Sequence, residues 1–351
     1  MKVALLLGAV GIALGFAAMG QGMASRPAPA YSVVERLSIG GEGGWDFIAV
    51  DEKRHRLYVS RGELVQVVDA ESGKVIADIP GTHGVHGIAI AEEFGLGFTS
   101  NGRSNSVTVF DLETEAVVDT VEVTGSNPDA ILYDPYSKHI LTFNGKSSNV
   151  TAIDVRTRKV VGTLALPGKP EVAVSDGAGH VYVNIEDRNS LASIEMPRLA
   201  LSAEWPLGKC DGPTGLAIDD DRKRLFSVCH SKEMVVVDAR SGKLLQELPI
   251  GAEVDGAEFD PQLQLAFSSN GEGTMTVVNC TGPQGCGVVA SVPTQSRART
   301  LALDRSTHRI YLPTASFGPL PPATTAQPKP RAPMVAGSFV VLVLAPFTPR
   351  Q

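Results

Sequence analysis

The sequence predicts an all-β fold: a seven-bladed β-propeller of four-stranded antiparallel blades, closed by an N-terminal strand that completes the last blade. Three observations predict it. A motif of an apolar run, an anchor position, a short turn and a second apolar run recurs seven times. The anchors fall at positions 51, 91, 134, 176, 219, 260 and 304, separated by 40, 43, 42, 43, 41 and 44 residues. Near-constant spacing at this length fits one four-stranded sheet per repeat, arranged radially. The two chain ends also complement each other. The last repeat lacks a fourth strand, and an extra strand-like run precedes the first.

Repeat one sets the pattern, with strands a to d over residues 46–50, 56–60, 64–69 and 74–79. Six of the seven anchors are Asp. Such an Asp can accept backbone N–H bonds and start the a–b turn. The c–d turns carry the same chemistry in Asp69-Ala-Glu-Ser72, Asp111-Leu-Glu-Thr114, Asp154-Val-Arg-Thr157 and Asp238-Ala-Arg-Ser241. These residues are assigned to hairpin formation and given no catalytic part. Repeat seven supplies strands a and b and a c-like run over 338–344, after which residues 31–39 should serve as its d strand. That closure removes two open sheet edges. Residues 314–337 interrupt repeat seven between strands b and c. Six prolines there (Pro319, Pro321, Pro322, Pro328, Pro330, Pro333) bar ladder pairing and favour extended backbone. No helical periodicity exceeds a turn.

The first 24 residues read as an export signal. Lys2 is the only charge before Arg26, residues 3–19 are apolar and rich in Ala and Gly, and Gly22-Met23-Ala24 reads as a small-residue cleavage site, with Ala28-Pro29-Ala30 as a second option. The division that follows is a signal over 1–24, one propeller over 25–346 and a tail over 347–351. The expected location is periplasmic or secreted, with no membrane span once the signal is cleaved. A net charge of −7 argues against non-specific nucleic-acid binding. Four cysteines in an exported chain invite pairing. Cys280 and Cys286 flank a Thr-Gly-Pro-Gln-Gly turn, while Cys210 and Cys229 fall on one face of blade five. The pairs 210–229 and 280–286 are therefore expected.

Leu57-Tyr58-Val59-Ser60 and Val181-Tyr182-Val183-Asn184 resemble a Tyr-Val-Thr-Asn (YVTN) repeat. Further stretches carry the likeness along residues 31–346: Gly84-Val85-His86-Gly87-Ile88-Ala89, Gly168-Lys169-Pro170-Glu171, Pro213-Thr214-Gly215-Leu216 and Ser269-Asn270-Gly271-Glu272-Gly273. The chain thus resembles bacterial YncE-like YVTN β-propellers. That resemblance implies an exported seven-bladed ring and assigns no catalytic residue. A WD-repeat pattern fits less well, because the only Trp-Asp pair, Trp45-Asp46, opens an a strand.

The residue five before each anchor lies at the channel-facing start of strand a. Those seven are Asp46, His86, Asp129, Glu171, Thr214, Asp255 and Arg299. An outer set comes from the ends of the b strands: Arg61, Asn101, Asn144, Glu186, Cys229, Asn270 and Thr314. Both sets belong to one face, from which the proline-rich insertion also leaves. Two readings compete. In one, these groups line a wet channel and satisfy each other, with the Asn-Gly pairs at 101, 144 and 270 serving tight turns. In the other, they form a ligand or metal site, for which His86, Asp129, Glu171 and Asp255 would suit a divalent ion.

No Gly-x-Ser-x-Gly elbow, Walker loop, haem-attachment motif or His-Glu-x-x-His occurs. The function expected is a binding module, taking a small ligand or protein partner at the polar ring. It is expected to be monomeric and to require no cofactor. The alternative is a metal-dependent hydrolase resembling propeller lactonases and gluconolactonases. An aromatic content of 6% argues against a sugar- or base-stacking surface.

Overall fold

A computed structural model describes residues 29–282, 285–322 and 330–347. Seven four-stranded antiparallel sheets follow one another around a ring. The export signal over 1–24 and the tail beyond Phe347 lie outside the described residues, as do 323–329 of the insertion. Blade one runs through Ile48–Asp51, Arg56–Ser60, Val65–Asp69 and Val75–Ile79, each strand hydrogen-bonded to the next. Blades two to six repeat this order. Among the described residues, the helical pieces are two single turns, Glu92–Phe94 and Glu186–Arg188, and no helix is long and apolar enough to cross a membrane.

Blade seven is built from both ends of the chain. Its strands Ala302–Asp304, Arg309–Thr314 and Val340–Phe347 are joined by Ala30–Ser38, which pairs antiparallel with Val340–Phe347 from Ala30 opposite Phe347 to Ser38 opposite Val340. The closing strand thus sits one residue earlier than the 31–39 expected, and the third strand extends to Phe347.

Seven apolar clusters form, one at each interface between neighbouring blades. The period of two along a strand explains why. In Arg56–Ser60, Leu57 and Val59 face blade seven while Tyr58 faces blade two. Alternate side chains feed opposite interfaces, so the b and c strands are apolar on both faces. The innermost strands crowd at the axis, where small residues allow contact. A Cβ on Gly215 would lie 2.7 Å from the backbone of Gly256 and Ala257 in the next blade.

The turns behave as their composition requires. Asp51 accepts the amides of Lys53 and Arg54 at 3.0 Å each, and Asp111, Asp154 and Asp238 accept those of Thr114, Thr157 and Ser241. Both expected disulfides are present, Cys210–Cys229 and Cys280–Cys286. The first closes the loop ahead of the inner strand Pro213–Asp219 onto the end of the second strand, Arg224–Cys229.

Candidate functional site at the funnel mouth

The starts of the inner strands bring charged side chains together at one end of the channel. Each is held by its neighbours. Ser60 Oγ accepts the Asp46 amide at 3.0 Å and donates to the Phe47 carbonyl at 3.0 Å. Thr300 donates to the Asp46 carbonyl at 2.6 Å. Ser100 donates to the Asp129 carbonyl, and Ser269 to that of Arg299. Hydroxyls on strand b (Ser60, Ser100, Ser269) and one just ahead of an inner strand (Thr300) thus fix the backbone of ring residues, in their own blade or the next. Arg61, buried at the end of its strand, reaches the Glu42 carbonyl at 2.9 Å and lies 3.7 Å over the Phe339 ring. It secures the glycine-rich segment leading to Trp45 and Asp46. Burial brings its pKa down to about 10.

His86 stands between two carboxylates. Its Nδ1 is 2.7 Å from Asp46 and 3.6 Å from Asp129. Gly102 makes room for the ring, since a Cβ there would lie 2.7 Å from His86 Nε2. Asp255 pairs with Arg299 at 3.1 Å, and Arg299 also faces Asp46 at 3.8 Å. Lys169 bridges Glu171, at 2.7 Å, and Glu186. Six of the seven inner positions therefore form two groups. One links Asp255, Arg299, Asp46, His86 and Asp129, and the other joins Glu171 to Lys169 and Glu186.

Thr214 stands apart. Its hydroxyl is buried and donates to the Val254 and Val228 carbonyls, so it belongs to the wall. Asn101, Asn144 and Asn270 are fully buried and engaged within their blades. Asn101 bonds Thr99, Ser106 and Thr108; Asn144 bonds Thr142, Asn149 and Thr151; Asn270 bonds Ser268, Thr274 and Thr276. Thr314 donates to the Ser296 carbonyl, and Cys229 is in its disulfide. Of the outer set, Glu186 alone joins the charged groups of the mouth. Nor does the structure gather the four metal ligands expected from sequence. Glu171 and Asp255 are paired with bases, whereas Asp46, His86 and Asp129 offer ligand atoms within 4.8 Å of one another.

The protonation of these groups follows from burial and crowding. Burial pushes Asp255 up to about 7, with Asp46 and Asp129 adding to the shift against Arg299. Glu171 is pushed up to about 8 by burial, against the pull of Lys169 and with help from Asp129 and Glu186. Asp129 is raised by burial, which His86 opposes. Burial disfavours the His86 cation, but Asp46, Asp129 and Glu171 outweigh it and raise its pKa. Below the ring the channel narrows to a cavity of 270 Å³ walled by Ile48, Val172, Val174, Leu216 and Leu301. Burial raises Glu258 there to about 7.

These shifts have one sign. The folded protein holds protons on Asp129, Glu171, Asp255 and Glu258 that the unfolded chain, ionising near its ordinary carboxylate values of about 4, has released. Through these groups the folded state binds the more protons between about pH 5 and 8, above the range where the lowered turn carboxylates act with the opposite sign, so stability falls as pH rises across that window. His86 adds to the same slope, its contribution lost as pH passes through its raised pKa. The urea midpoint at about pH 5.5 should exceed that at about pH 8.5, and Asp255→Asn should narrow the gap. A midpoint that climbs over this range would contradict the assignment.

The insertion folds back over the mouth. Phe317 bridges to Met334, Gly318 donates to the Pro333 carbonyl at 2.8 Å, and Val335 to that of Ser316 at 2.9 Å. Trp45 packs against Phe317 and Phe339, at 5.9 and 5.3 Å between centroids. The space beneath divides into two compartments that share Gly44, Trp45 and Arg331. A cavity of 770 Å³ is lined by Asp46, His86, Arg103, Asn127 and Lys146. Its neighbour, of 970 Å³, is lined by Trp45, Arg297, Arg299, Phe317 and Met334. Sequence reasoning placed the insertion on this face but missed Trp45, Lys169, Arg297, Phe317, Arg331 and Met334.

These features define a seven-bladed β-propeller with a charged mouth roofed by a hairpin. No protein-family model matches the chain, and no curated protein sequence matches it. Solved structures share the architecture. A chain of the hydrazine synthase of Kuenenia stuttgartiensis is similar with a TM-score of 0.67 at 15% identity, over 86% of this chain and 98% of its own. A chain of a mitotic checkpoint complex reaches 0.73 at 12% identity, over 98% of both. At such identities the likeness concerns the fold alone.

Proposed function

We propose that this chain is an exported, YncE-like propeller of the YVTN type that binds a small molecule at its funnel mouth. The observation that carries this reading is the hairpin around Phe317 and Met334, folded over a ring of charged groups to leave two joined cavities. Their volumes suit a ligand of metabolite or drug size. Export is supported by the composition of the first 24 residues and by two disulfides, which persist in oxidising compartments. The YVTN-like runs supply buried b strands and leave the ligand to be chosen by the mouth.

A second reading, a metal-dependent hydrolase, is favoured by the juxtaposition of Asp46, His86 and Asp129. One nitrogen and two carboxylate oxygens suit a zinc or manganese ion, which when bound would polarise a carbonyl and activate water. Asp46 and Asp129 would then be ligands along with His86.

One titration tests both readings. Trp45 lies at the mouth and Trp205 on the outer strand Ala200–Pro206, so the variant Trp205→Phe reports from the mouth alone. Its fluorescence should change saturably with at least one of Mn²⁺, benzylamine and phenylacetate. A response to Mn²⁺ abolished by Asp129→Asn supports the metal reading. A response to the organic probes alone supports ligand binding without a metal. Silence towards all three overturns the mouth as a binding site.

A further inference from the structure

The larger cavity differs in chemistry from the acidic ring beside it. Its walls are the half-buried Trp45, Phe317 and Met334, and three guanidinium groups point to one kind of ligand. Arg299 is held by Asp255. Arg297 lies over the Phe317 ring, its guanidinium carbon 3.7 Å from the ring centre, and makes no ion pair among the described residues. Arg331, on the second arm of the hairpin, has no carboxylate partner among the described residues either. Residues 323–329 contain no acidic side chain that could serve it. Glu42 and Glu253 stand exposed at the rim, and neither carboxylate lies within 4 Å of an arginine side chain; Glu42 meets Arg61 through its backbone carbonyl alone.

We propose that this cleft binds a small monocarboxylate with a flat apolar body, its carboxylate held by Arg297 and Arg331 and its body lying against the cleft-facing sides of the packed Trp45, Phe317 and Met334. This rests on the mouth being a binding site and names the ligand class. A guanidinium stacked on an aromatic face still presents its edge N–H groups, which match the two oxygens of a carboxylate. Contact with the Phe317 ring restrains Arg297 and reduces the freedom lost on binding. The neighbouring Asp46, Glu42 and Glu253 repel a second negative charge, which favours a monoanion over a phosphate dianion. The 970 Å³ cleft admits a bicyclic body together with its acid group.

The test is calorimetric titration of the full mature protein with 1-naphthylacetate, 2-(1-naphthyl)ethanol, 1-naphthyl phosphate and 1-naphthylmethylamine. The acid should bind in a 1:1 complex, at least roughly tenfold tighter than the alcohol and the phosphate. Arg297→Gln and Arg331→Gln should each weaken it by roughly tenfold, and Phe317→Ala by a similar factor. Arg331 is exposed, so Arg331→Gln should fold as the parent does, and an unchanged melting temperature checks this. Arg297→Lys keeps the charge and loses the planar fork, so it should restore only part of the affinity. Equal binding of acid and alcohol, or acid binding indifferent to both arginine variants, overturns the proposal. So does preference for the phosphate. If the amine or Mn²⁺ binds and the acid does not, the anion assignment fails while the mouth stands. If no probe binds, both fail.

Discussion

Replacing Tyr31 by Ala should destabilise the protein by about 3–5 kcal/mol, the usual range for removing a large buried aromatic side chain. Tyr31 is 4% exposed and packs edge-on against Phe267 of blade six, with ring centres 5.1 Å apart. Its hydroxyl donates to the His308 carbonyl at 3.0 Å. One side chain from the start of the described chain thus fastens the last two blades, and its loss opens a cavity at the seam. Deleting Ala30–Ser38 should do more, exposing the edge of Val340–Phe347 along its whole length. Val34, on the same strand but 55% exposed, is the control: Val34→Ala should stay within about 0.5 kcal/mol. Urea unfolding measures all three. A Tyr31→Ala protein as stable as its parent would show that the seam is held elsewhere.

Loss of the Cys210–Cys229 disulfide should have the next largest effect. It closes a sequence separation of 19 residues, for which the chain-entropy relation gives about 3 kcal/mol; the separation of 6 at Cys280–Cys286 gives about 2. Both cysteines of the longer loop are buried, at 1% and 0% exposure, so Ala is the suitable replacement. Cys210→Ala/Cys229→Ala should unfold at lower urea than Cys280→Ala/Cys286→Ala. Reductant should lower the parent's midpoint and leave a variant lacking both bridges unmoved. A parent indifferent to reductant would contradict the contribution assigned to these bonds.

The repeat made the ring readable because each blade spends its residues in the same way. The Asp anchors bond their own turns, and the spacing between them fixes where each inner strand begins. Counting back five residues for the same reason reached six charged groups that the structure brings together, while the seventh position, Thr214, lies in the wall. The partners within the mouth were not readable. Whether Glu171 answers to His86 or to Lys169 depends on the reach of side chains across the channel, which a repeat does not encode.

The buried asparagines did carry a signal. Thr99-x-Asn101, Thr142-x-Asn144 and Ser268-x-Asn270 each place two polar groups on one face of a strand. Ser or Thr follows on the facing strand at Ser106 and Thr108, at Thr151, and at Thr274 and Thr276. That alternation marks a polar ladder inside the blade rather than a row of ligand contacts. The insertion had no period to read. Its course is set by Phe317 meeting Trp45 and by Arg297 lying on Phe317, contacts between residues far apart in the chain.

The electrostatic centre of the mouth is His86, and its titration by NMR tests the account most directly. The histidine side chains would be followed against pH in the parent, with His86→Gln to assign the signal. The imidazole of His86 should titrate above the ordinary histidine value of about 6.5, fall when Asp46→Asn removes the carboxylate 2.7 Å away, and move when a probe fills the mouth. A His86 that titrates at the ordinary value, ignores Asp46→Asn and is blind to every probe would contradict a coupled, ligand-responsive ring.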